Sequence, residues 1–405
     1  MPVRLSPFAA LRHRNFRIFW TGQTVSLVGS WMQTLALGWL VLQLTDSAFW
    51  VGLVSFSGSL PVLLFTLPAG VYVDRADKHR LVMRCQALLA VQATLLTVLV
   101  ATGWVRPVHV ALLATMAGLI NSVEIPARQS FIVDLVGRED LTNAIALNSS
   151  SFNATRIVGP AIAGLLVAHV GLAICFGLNA LSYAAVLVGL TRLRLTPVPH
   201  PPAESHAFER FKDGIRFVRG EPSVRALMAA TAFLSLFGFP VVVLLPVFAR
   251  DILRVGPDGL GMMSASIGIG ALLAAFGLAA LAPRVRRGRL VALAAPAFGL
   301  MVVAFTLARW LPLALLCLAL AGFAMILNNA ATNTLLQGLV PDALRGRVMS
   351  MWTTVFVGFA PLGALAMGAA AGRVGAPAAA ALGGALASVA TGWTLWRTPA
   401  VRVLR

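Results

Sequence analysis

Residues 70–80 read GVYVDRADKHR, a short charged segment that separates two long apolar runs. Residues 49–73 contain no charged side chain, and residues 81–103 contain only Arg84. Runs of about 20 apolar residues are long enough to cross a hydrocarbon layer of about 30 Å as helices. The segment therefore predicts a tight turn between two helices that span a membrane.

The rest of the chain repeats this pattern. Its 405 residues are 59% hydrophobic and 11% charged, which is more apolar surface than one water-soluble core can bury. A β-barrel would show alternating segments of about ten residues, whereas residues 110–120 are almost continuously apolar. We therefore predict an all-α integral membrane protein with 12 transmembrane helices. The predicted spans, numbered in chain order, are residues 17–44, 49–73, 81–103, 107–126, 141–168, 170–190, 224–249, 258–282, 289–308, 311–338, 346–371 and 376–397.

A polar stretch in the middle of the chain divides six spans from six. Its Pro-rich start is predicted to be extended, and the spacing of Phe208, Phe211, Ile215 and Phe217 predicts a short amphipathic helix on the membrane surface. The predicted organisation is an N-terminal segment 1–16, a six-helix bundle 17–190, a linker 191–223, a second six-helix bundle 224–397 and a tail 398–405.

The two bundles show internal similarity. An Ala-Gly pair at residues 117–118 recurs at residues 321–322, and Pro160 in span 5 has a counterpart in Pro361 of span 11. Two parallel repeats related about the membrane normal predict this correspondence.

The basic residues are placed unevenly along the chain. The net charge is +18, and 26 of the 32 Arg and Lys residues fall on the side of the membrane that holds both chain ends, against five on the other side and Arg156 within a span. The positive-inside rule then predicts that both termini lie in the cytoplasm. No nucleic-acid partner is expected, because the charge is spread over short loops and forms no single stripe.

The charged segment carries a recognisable set of residues. Gly70 would allow a neighbouring helix to approach closely, Asp74 would place an anion at a neighbouring helix N-terminus, and the basic residues would hold the loop inside. The set is Gly70, Asp74, Arg75, Lys78 and Arg80. It resembles the loop 2-3 signature of the major facilitator superfamily, which implies a role in gating. Asp77 stands where that family usually has Gly, and Asp tolerates a left-handed turn.

Three further stretches extend the resemblance. They are residues 8–48 (FAALRHRNFRIFWTGQTVSLVGSWMQTLALGWLVLQLTDSA), 124–164 (EIPARQSFIVDLVGREDLTNAIALNSSSFNATRIVGPAIAG) and 175–183 (CFGLNALSY). They resemble the branch of the superfamily that contains the enterobactin exporter and related drug-efflux proteins. The resemblance implies the major facilitator fold of two six-helix halves, a place in a bacterial inner membrane, alternating access around a central cavity, and export driven by the proton gradient.

Arg156 is the basic residue predicted to lie inside the hydrocarbon region, where a charge costs at least about 2.5 to 3.5 kcal/mol. Two interpretations stand. Its guanidinium contacts an anionic or acceptor-rich substrate, or it pairs structurally and holds spans 4 and 5 together.

Glu124 is the acidic residue predicted within a span, near the inner end of span 4. Burial favours the protonated form of a carboxyl group, which makes Glu124 the candidate proton carrier. The other interpretation is that it reaches water or pairs with Arg128 or Arg156.

Span 5 carries a Gly-Pro motif, Gly159-Pro160 followed by Gly164. These residues predict a kinked helix that packs closely on a partner. The motif resembles the signature of superfamily antiporters, without its closing Gly-Gly. A packing kink with no role in transport direction is the alternative.

Helices 1, 4, 7 and 10 line the cavity in this superfamily. The candidate substrate residues are Gln23, Asn121, Arg156, Phe233, Phe237, Asn328 and Asn329. Their mixture of aromatic and polar groups suits an amphipathic ligand better than a sugar or an amino acid.

We therefore predict a monomeric secondary transporter in the membrane lipid that exports amphipathic small molecules, such as drugs or siderophore-like compounds, with protons as the coupled ion. Lysophospholipid movement is the alternative transport function. A membrane-embedded enzyme is the alternative of another class, but no HExxH or CxxC motif or Ser/His/Asp set occurs at a plausible site. No metal or cofactor is predicted, and no G-x-x-x-x-G-K-S/T loop indicates ATP coupling.

The final expectation concerns gating at the inner face. Asp74 is predicted to face the N-terminal end of span 11, near Arg345 and Arg347. The corresponding contact between spans 8 and 5 is predicted to have reversed polarity, with arginines at 286–287 and acids at 139–140. The alternative is that these acids only stabilise their own helix and the arginines only set topology.

Overall fold

The computed structural model describes residues 8–194, 207–281 and 286–404. Twelve of its helices are long and apolar enough to cross a membrane, which confirms the predicted all-α architecture. Numbered as the spans were, they are α1 Arg14–Thr45, α2 Ala48–Arg75, α3 Lys78–Ala101, α4 Pro107–Val136, α5 Leu141–His169, α6 Leu172–Thr191, α7 Pro222–Ile252, α8 Gly256–Leu281, α9 Arg287–Leu307, α10 Leu311–Leu339, α11 Asp342–Val374 and α12 Ala376–Trp396.

Two shorter helices lie outside the spans. A linker helix, Ala207–Gly220, occupies the place where an amphipathic helix was predicted, although the side chains of Phe208 and Phe211 lie outside the described residues. It packs on α11, where a side chain at Gly214 would lie 3.0 Å from the Met351 sulfur. A C-terminal helix, Pro399–Val403, follows α12.

The predicted end of span 4 at Pro126 is wrong. The helix runs on to Val136 with the proline inside it. Pro126 removes one backbone donor, and such a loss is tolerated in membrane helices because neighbouring groups satisfy the freed carbonyl. In α4 a side-chain pair between Glu124 and Arg128 bridges the proline. A single proline therefore did not end the helix.

Chain contacts divide the protein into two compact units. The first comprises Met1–Leu40 and Ser57–Ala203, and the second comprises Val41–Phe56 and Glu204–Arg405. The joined ends of α1 and α2 therefore belong to the second unit. Arg250 of α7 explains part of this grouping, because its Nη1 donates to the Leu42 carbonyl at 3.0 Å and to Asp46 Oδ1 at 2.7 Å.

Each unit contains the same close helix crossing. In the first unit a methyl group at Gly118 of α4 would collide with the Gly58 carbonyl of α2. In the second unit a methyl group at Gly322 of α10 would collide with the Ile267 carbonyl of α8. These are the glycines of the Ala-Gly pairs that recur along the sequence, so the repeat predicted from them corresponds to the same contact in both units.

Candidate transport site

Glu124 lies in a buried polar cluster between α3 and α4, with 4% of its surface exposed. Arg128 Nε donates to its two carboxylate oxygens at 2.9 and 3.3 Å. Gln86 Nε2 of α3 donates to Oε1 at 3.0 Å. Of the partners considered from the sequence, the structure selects Arg128, one helical turn away. A guanidinium and an amide thus both donate hydrogen bonds to the carboxylate.

Gln86 is a partner that the sequence reasoning missed. It shares α3 with Gln92, and both are 1% exposed. Two glutamines in an otherwise apolar span were the available signal, because a buried amide in a membrane helix requires a partner on another helix. Within the described residues, Gln86 Oε1 and Gln92 Nε2 have no hydrogen-bond partner.

A second buried network joins α1, α3 and α6 in the same unit. Asn179 Nδ2 donates to Gln33 Oε1 at 2.8 Å, and Gln33 Nε2 donates to Gln92 Oε1 at 3.3 Å. The hydroxyls of Tyr183 and Ser30 lie 3.1 Å apart beside it. Interhelical bonds of this kind each contribute roughly 0.6 to 2 kcal/mol in membranes. Asn179 is fully buried and structural in this setting.

Arg156 of α5 is half-buried. No hydrogen bond or ion pair joins its guanidinium to any other described residue. Arg156 therefore forms no ion pair that would link α5 to α4 in the described residues. Glu124 of α4 pairs with Arg128 instead. Phe152, one turn earlier on α5, packs edge-on against Trp31 of α1 with ring centroids 5.6 Å apart. An unpaired cation and an aromatic pair thus lie on neighbouring turns.

The Gly-Pro motif packs α5 onto α1. A methyl group at Gly159 would lie 2.6 Å from Trp31 Cβ and 2.9 Å from the Val28 carbonyl. The helix continues through Pro160, and Gly164 is buried one turn further on. The predicted close approach at Gly159 is confirmed, because any larger residue would push these helices apart.

The remaining candidate substrate residues divide between the units. Gln23 and Asn121 lie in the first unit, and the other four lie in α7 and α10 of the second. Gln23 and Asn328 are buried, and in the described part of the chain their side-chain oxygens accept no hydrogen bond. Asn121 and Asn329 are half-buried. Phe233 and Phe237 stack with centroids 6.5 Å apart. The described residues thus offer two buried acceptors without a partner, and Phe233 also lines a cavity within the second unit, between α7 and α12.

In the charged segment between α2 and α3, no described atom lies within 4 Å of where a Gly70 side chain would project. The close helix approach at Gly70 stays a prediction. Asp77 has φ −65°, not a left-handed conformation, because it caps α3 and accepts from the Arg80 N–H at 3.0 Å. Capping needs extended backbone and a short acceptor side chain.

Lys78 has a more specific role than topology alone. It is buried at 8% exposure, and its Nζ lies 3.6 Å from Asp134 Oδ2 of α4. Asp74 and Arg75 are exposed. On the same unit, His13 Nε2 lies 2.7 Å from Asp140 Oδ2. Lys78 therefore joins the turn to α4, and Asp140 has a partner before α1 that the sequence did not suggest.

The chain matches over residues 5–402 the family described as transmembrane secretion effector. Among similar proteins is the multidrug efflux pump Tap of Mycolicibacterium fortuitum, 29% identical over 86% of this chain and 87% of that one. The staphyloferrin A transporter of Staphylococcus aureus is 25% identical over 87% and 88%. The enterobactin exporter EntS of Escherichia coli O1:K1 is 27% identical over 88% and 85%.

Solved structures share the fold at lower sequence identity. A bacterial homologue of the iron transporter ferroportin, in the inward-facing state, superimposes with a TM-score of 0.73 at 16% identity, covering 94% of this chain and 98% of that one. A bacterial homologue of the human lysosomal transporter Spinster gives 0.71 at 16% identity, covering 97% and 96%.

Proposed function

Because this chain belongs to the transmembrane secretion effector family of major facilitator transporters, we propose that it couples proton entry to the export of amphipathic anionic small molecules. It is a multi-pass inner-membrane protein and a secondary transporter of small molecules, not an enzyme. The proposal concerns the substrate class, the coupled ion, alternating access as the mechanism, and the orientation with both termini in the cytoplasm.

The guanidinium of Arg156, which has no partner among the described residues, is the observation that favours an anionic substrate. An arginine at membrane depth costs several kcal/mol unless water, a counter-ion or a polar ligand compensates it. Within the described residues no side chain of the protein does so. A carboxylate, catecholate or sulfonate on the substrate would, since guanidinium binds planar anions through two parallel hydrogen bonds. The aromatic pair of Phe152 and Trp31 supplies apolar area on the adjacent turn.

The names of the relatives support substrates of drug or siderophore size. Their names describe multidrug efflux, a staphyloferrin A transporter and an enterobactin exporter. We extend to this chain the export of drug-like or siderophore-like compounds. Gln23 and Asn328, whose buried oxygens accept no bond in the described residues, would receive hydrogen bonds from hydroxyl or amide groups of such a substrate.

Glu124 is the proposed coupling residue. Its carboxylate accepts hydrogen bonds from Arg128 and Gln86. A proton that binds it removes the charge that holds Arg128, and the freed guanidinium then requires a new partner in a poorly solvated place. Protonation therefore favours a rearrangement around α4, which is the differential effect that a coupled ion must have on two conformations.

Inside-out membrane vesicles test the proposal directly. They are loaded with acid buffer, and accumulation of anionic carboxyfluorescein, cationic ethidium and lysophosphatidylglycerol is followed with and without the pH gradient. Gradient-dependent accumulation of carboxyfluorescein above ethidium is expected. Preference for lysophosphatidylglycerol would favour lipid movement instead, and accumulation that ignores the gradient would exclude proton coupling.

A further inference from the structure

The second unit has a cavity, here called the groove, between the N-terminal part of α7 and the C-terminal end of α12. Its volume is about 330 Å³. Its polar lining comes from Arg225, Arg397, Thr394 and Thr398, and Trp393, Ala229 and Phe233 are among its apolar lining. Among the described residues, no acidic side chain lines it. The cavity therefore combines two guanidinium groups with apolar surface and has a net positive charge.

The polar and apolar groups are arranged along the axes of α7 and α12. Arg225, Ala229 and Phe233 are four residues apart on α7, so they form one stripe of about 12 Å from the helix start towards the membrane interior. Trp393 lies in the last turn of α12, and Arg397 follows one turn later as the C-cap residue. The arginines thus lie at the helix ends and Phe233 lies further inside the span of α7. A ligand that fits this groove has an anionic end and an apolar end.

The two guanidinium groups are left available by their surroundings. Arg225 Nη1 donates to the Arg219 carbonyl at 3.0 Å, which ties it to the end of the linker helix. The Arg397 guanidinium lies 4.4 Å from the centroid of the Trp393 ring. Neither arginine has an acidic partner among the described residues. Their remaining N–H groups are free to bind phosphate oxygens.

Other polar groups near the two arginines already have hydrogen-bond partners within the protein. Glu221 directs its carboxylate to the Ser223 N–H at 3.4 Å and so caps α7. The last carbonyls of α12 accept from Arg402, at 2.7 Å for Trp396. The Arg397 guanidinium is therefore not needed to cap α12. The exposed Trp393 and Trp396 rings, 54% and 63% accessible, mark the level of the membrane interface.

We propose that this groove binds an anionic phospholipid of the inner leaflet, with the phosphate between Arg225 and Arg397 and an acyl chain along Ala229, Phe233 and Trp393. Basic pockets between helices on the cytoplasmic side are typical binding places for anionic headgroups. The inference rests on the orientation proposed above and not on the transported substrate. A free phosphate would use only the polar end, whereas the apolar stripe matches a lipid tail.

Tryptophan quenching by bromine-labelled acyl chains tests the site in purified protein without any transport. The chain has nine tryptophans, so the Trp393 signal is the difference between wild type and Trp393→Phe. Brominated phosphatidylglycerol should quench this signal and brominated phosphatidylcholine should not. In Arg225→Gln/Arg397→Gln, half-saturation should need about 30-fold more phosphatidylglycerol. Arg225→Lys/Arg397→Lys, which keeps the charge, should retain most of the binding.

The matched control is Arg17→Gln/Arg84→Gln, which removes two exposed arginines from the first unit. It should leave quenching of Trp393 unchanged. Equal weakening in both double variants, no weakening in the Arg225/Arg397 variant, or equal quenching by phosphatidylcholine would overturn the proposal. Displacement of the lipid by inorganic phosphate would assign the site to a free anion instead. Since the readout is lipid binding, failure here would leave the transport assay and the proposed substrate unaffected.

Discussion

Arg128 donates from Nε to both carboxylate oxygens of Glu124, at 2.9 and 3.3 Å, on either side of Pro126 in α4. Both residues are buried. Because the two side chains contact each other directly, proton binding to Glu124 would weaken this pair, and the pair is therefore the place to test coupling.

Glu124→Gln should abolish gradient-driven accumulation in inside-out vesicles while counterflow exchange continues, because an amide binds no proton in the relevant pH range but can still accept from Arg128. Asp77→Asn is the control: it removes an exposed charge on the same unit while keeping a side chain that can cap α3, and it should accumulate substrate as wild type does. Accumulation by Glu124→Gln against a gradient at the wild-type level would remove Glu124 from the coupling role.

The pair should also show strong energetic coupling. Glu124→Leu alone should lower the free energy of unfolding in mixed micelles by about 3 to 5 kcal/mol, because Arg128 would be left buried without its counter-ion. The double variant Glu124→Leu/Arg128→Met should recover most of that loss, since it buries no charge. Additive losses in the double variant would contradict a direct interaction between the two side chains.

Arg156→Met should weaken binding of carboxyfluorescein roughly 10- to 100-fold, because a hydrogen-bonded charge contributes about 1.5 to 3 kcal/mol. Ethidium binding should change little, and Arg156→Lys should recover part of the preference for the anion. Affinities from ligand-induced quenching, together with size-exclusion profiles, decide the matter. Equal loss for both dyes in a well-folded variant would mean that Arg156 does not select by charge.

The surroundings of each glycine predict which glycine-to-alanine substitutions destabilise the protein. The loop motif alone does not predict this difference. Gly118→Ala and Gly322→Ala place a methyl group against a backbone carbonyl, so each should lower the free energy of unfolding by about 1 to 3 kcal/mol. Gly70→Ala meets nothing within 4 Å and should be neutral or slightly stabilising. Thermal unfolding in detergent compares the three. Greater destabilisation by Gly70→Ala would mean that its environment is crowded in another conformation.

Gating by a reversed charge contact stays a prediction. Glu139→Arg and Arg287→Glu should each increase cysteine labelling at an Asn329→Cys reporter roughly 1.5- to 5-fold, and the combined swap should restore it, since exposed pairs contribute about 0.2 to 1 kcal/mol. Asp140 is kept because it contacts His13. Additive opening in the combined variant would exclude the contact. The matching prediction, that Asp74 faces the start of α11, is tested in the same way with Asp74→Arg and Arg347→Asp.

The candidate site was only partly predictable. Glu124 and Arg128 are four residues apart on one helix, so their meeting follows from helical geometry. Gln86 lies 38 positions away, and Asn179 reaches Gln33 across 146. Such contacts depend on how each helix is rotated about its own axis, which hydropathy does not encode. The same reason explains Gly70 and Gly118, two helix glycines of which only the second meets a backbone.

The sequence by itself determined the number and order of the spanning helices. Long apolar runs between charged turns have one stable form in lipid, because every backbone group must be bonded within the helix. It also determined that Arg156 carries a charge at membrane depth. Only the tertiary structure decided that no described side chain neutralises it, and that Arg225 and Arg397, 172 positions apart, line one groove. Backbone bonding in lipid is local, whereas the neutralisation of a buried charge depends on packing between distant helices.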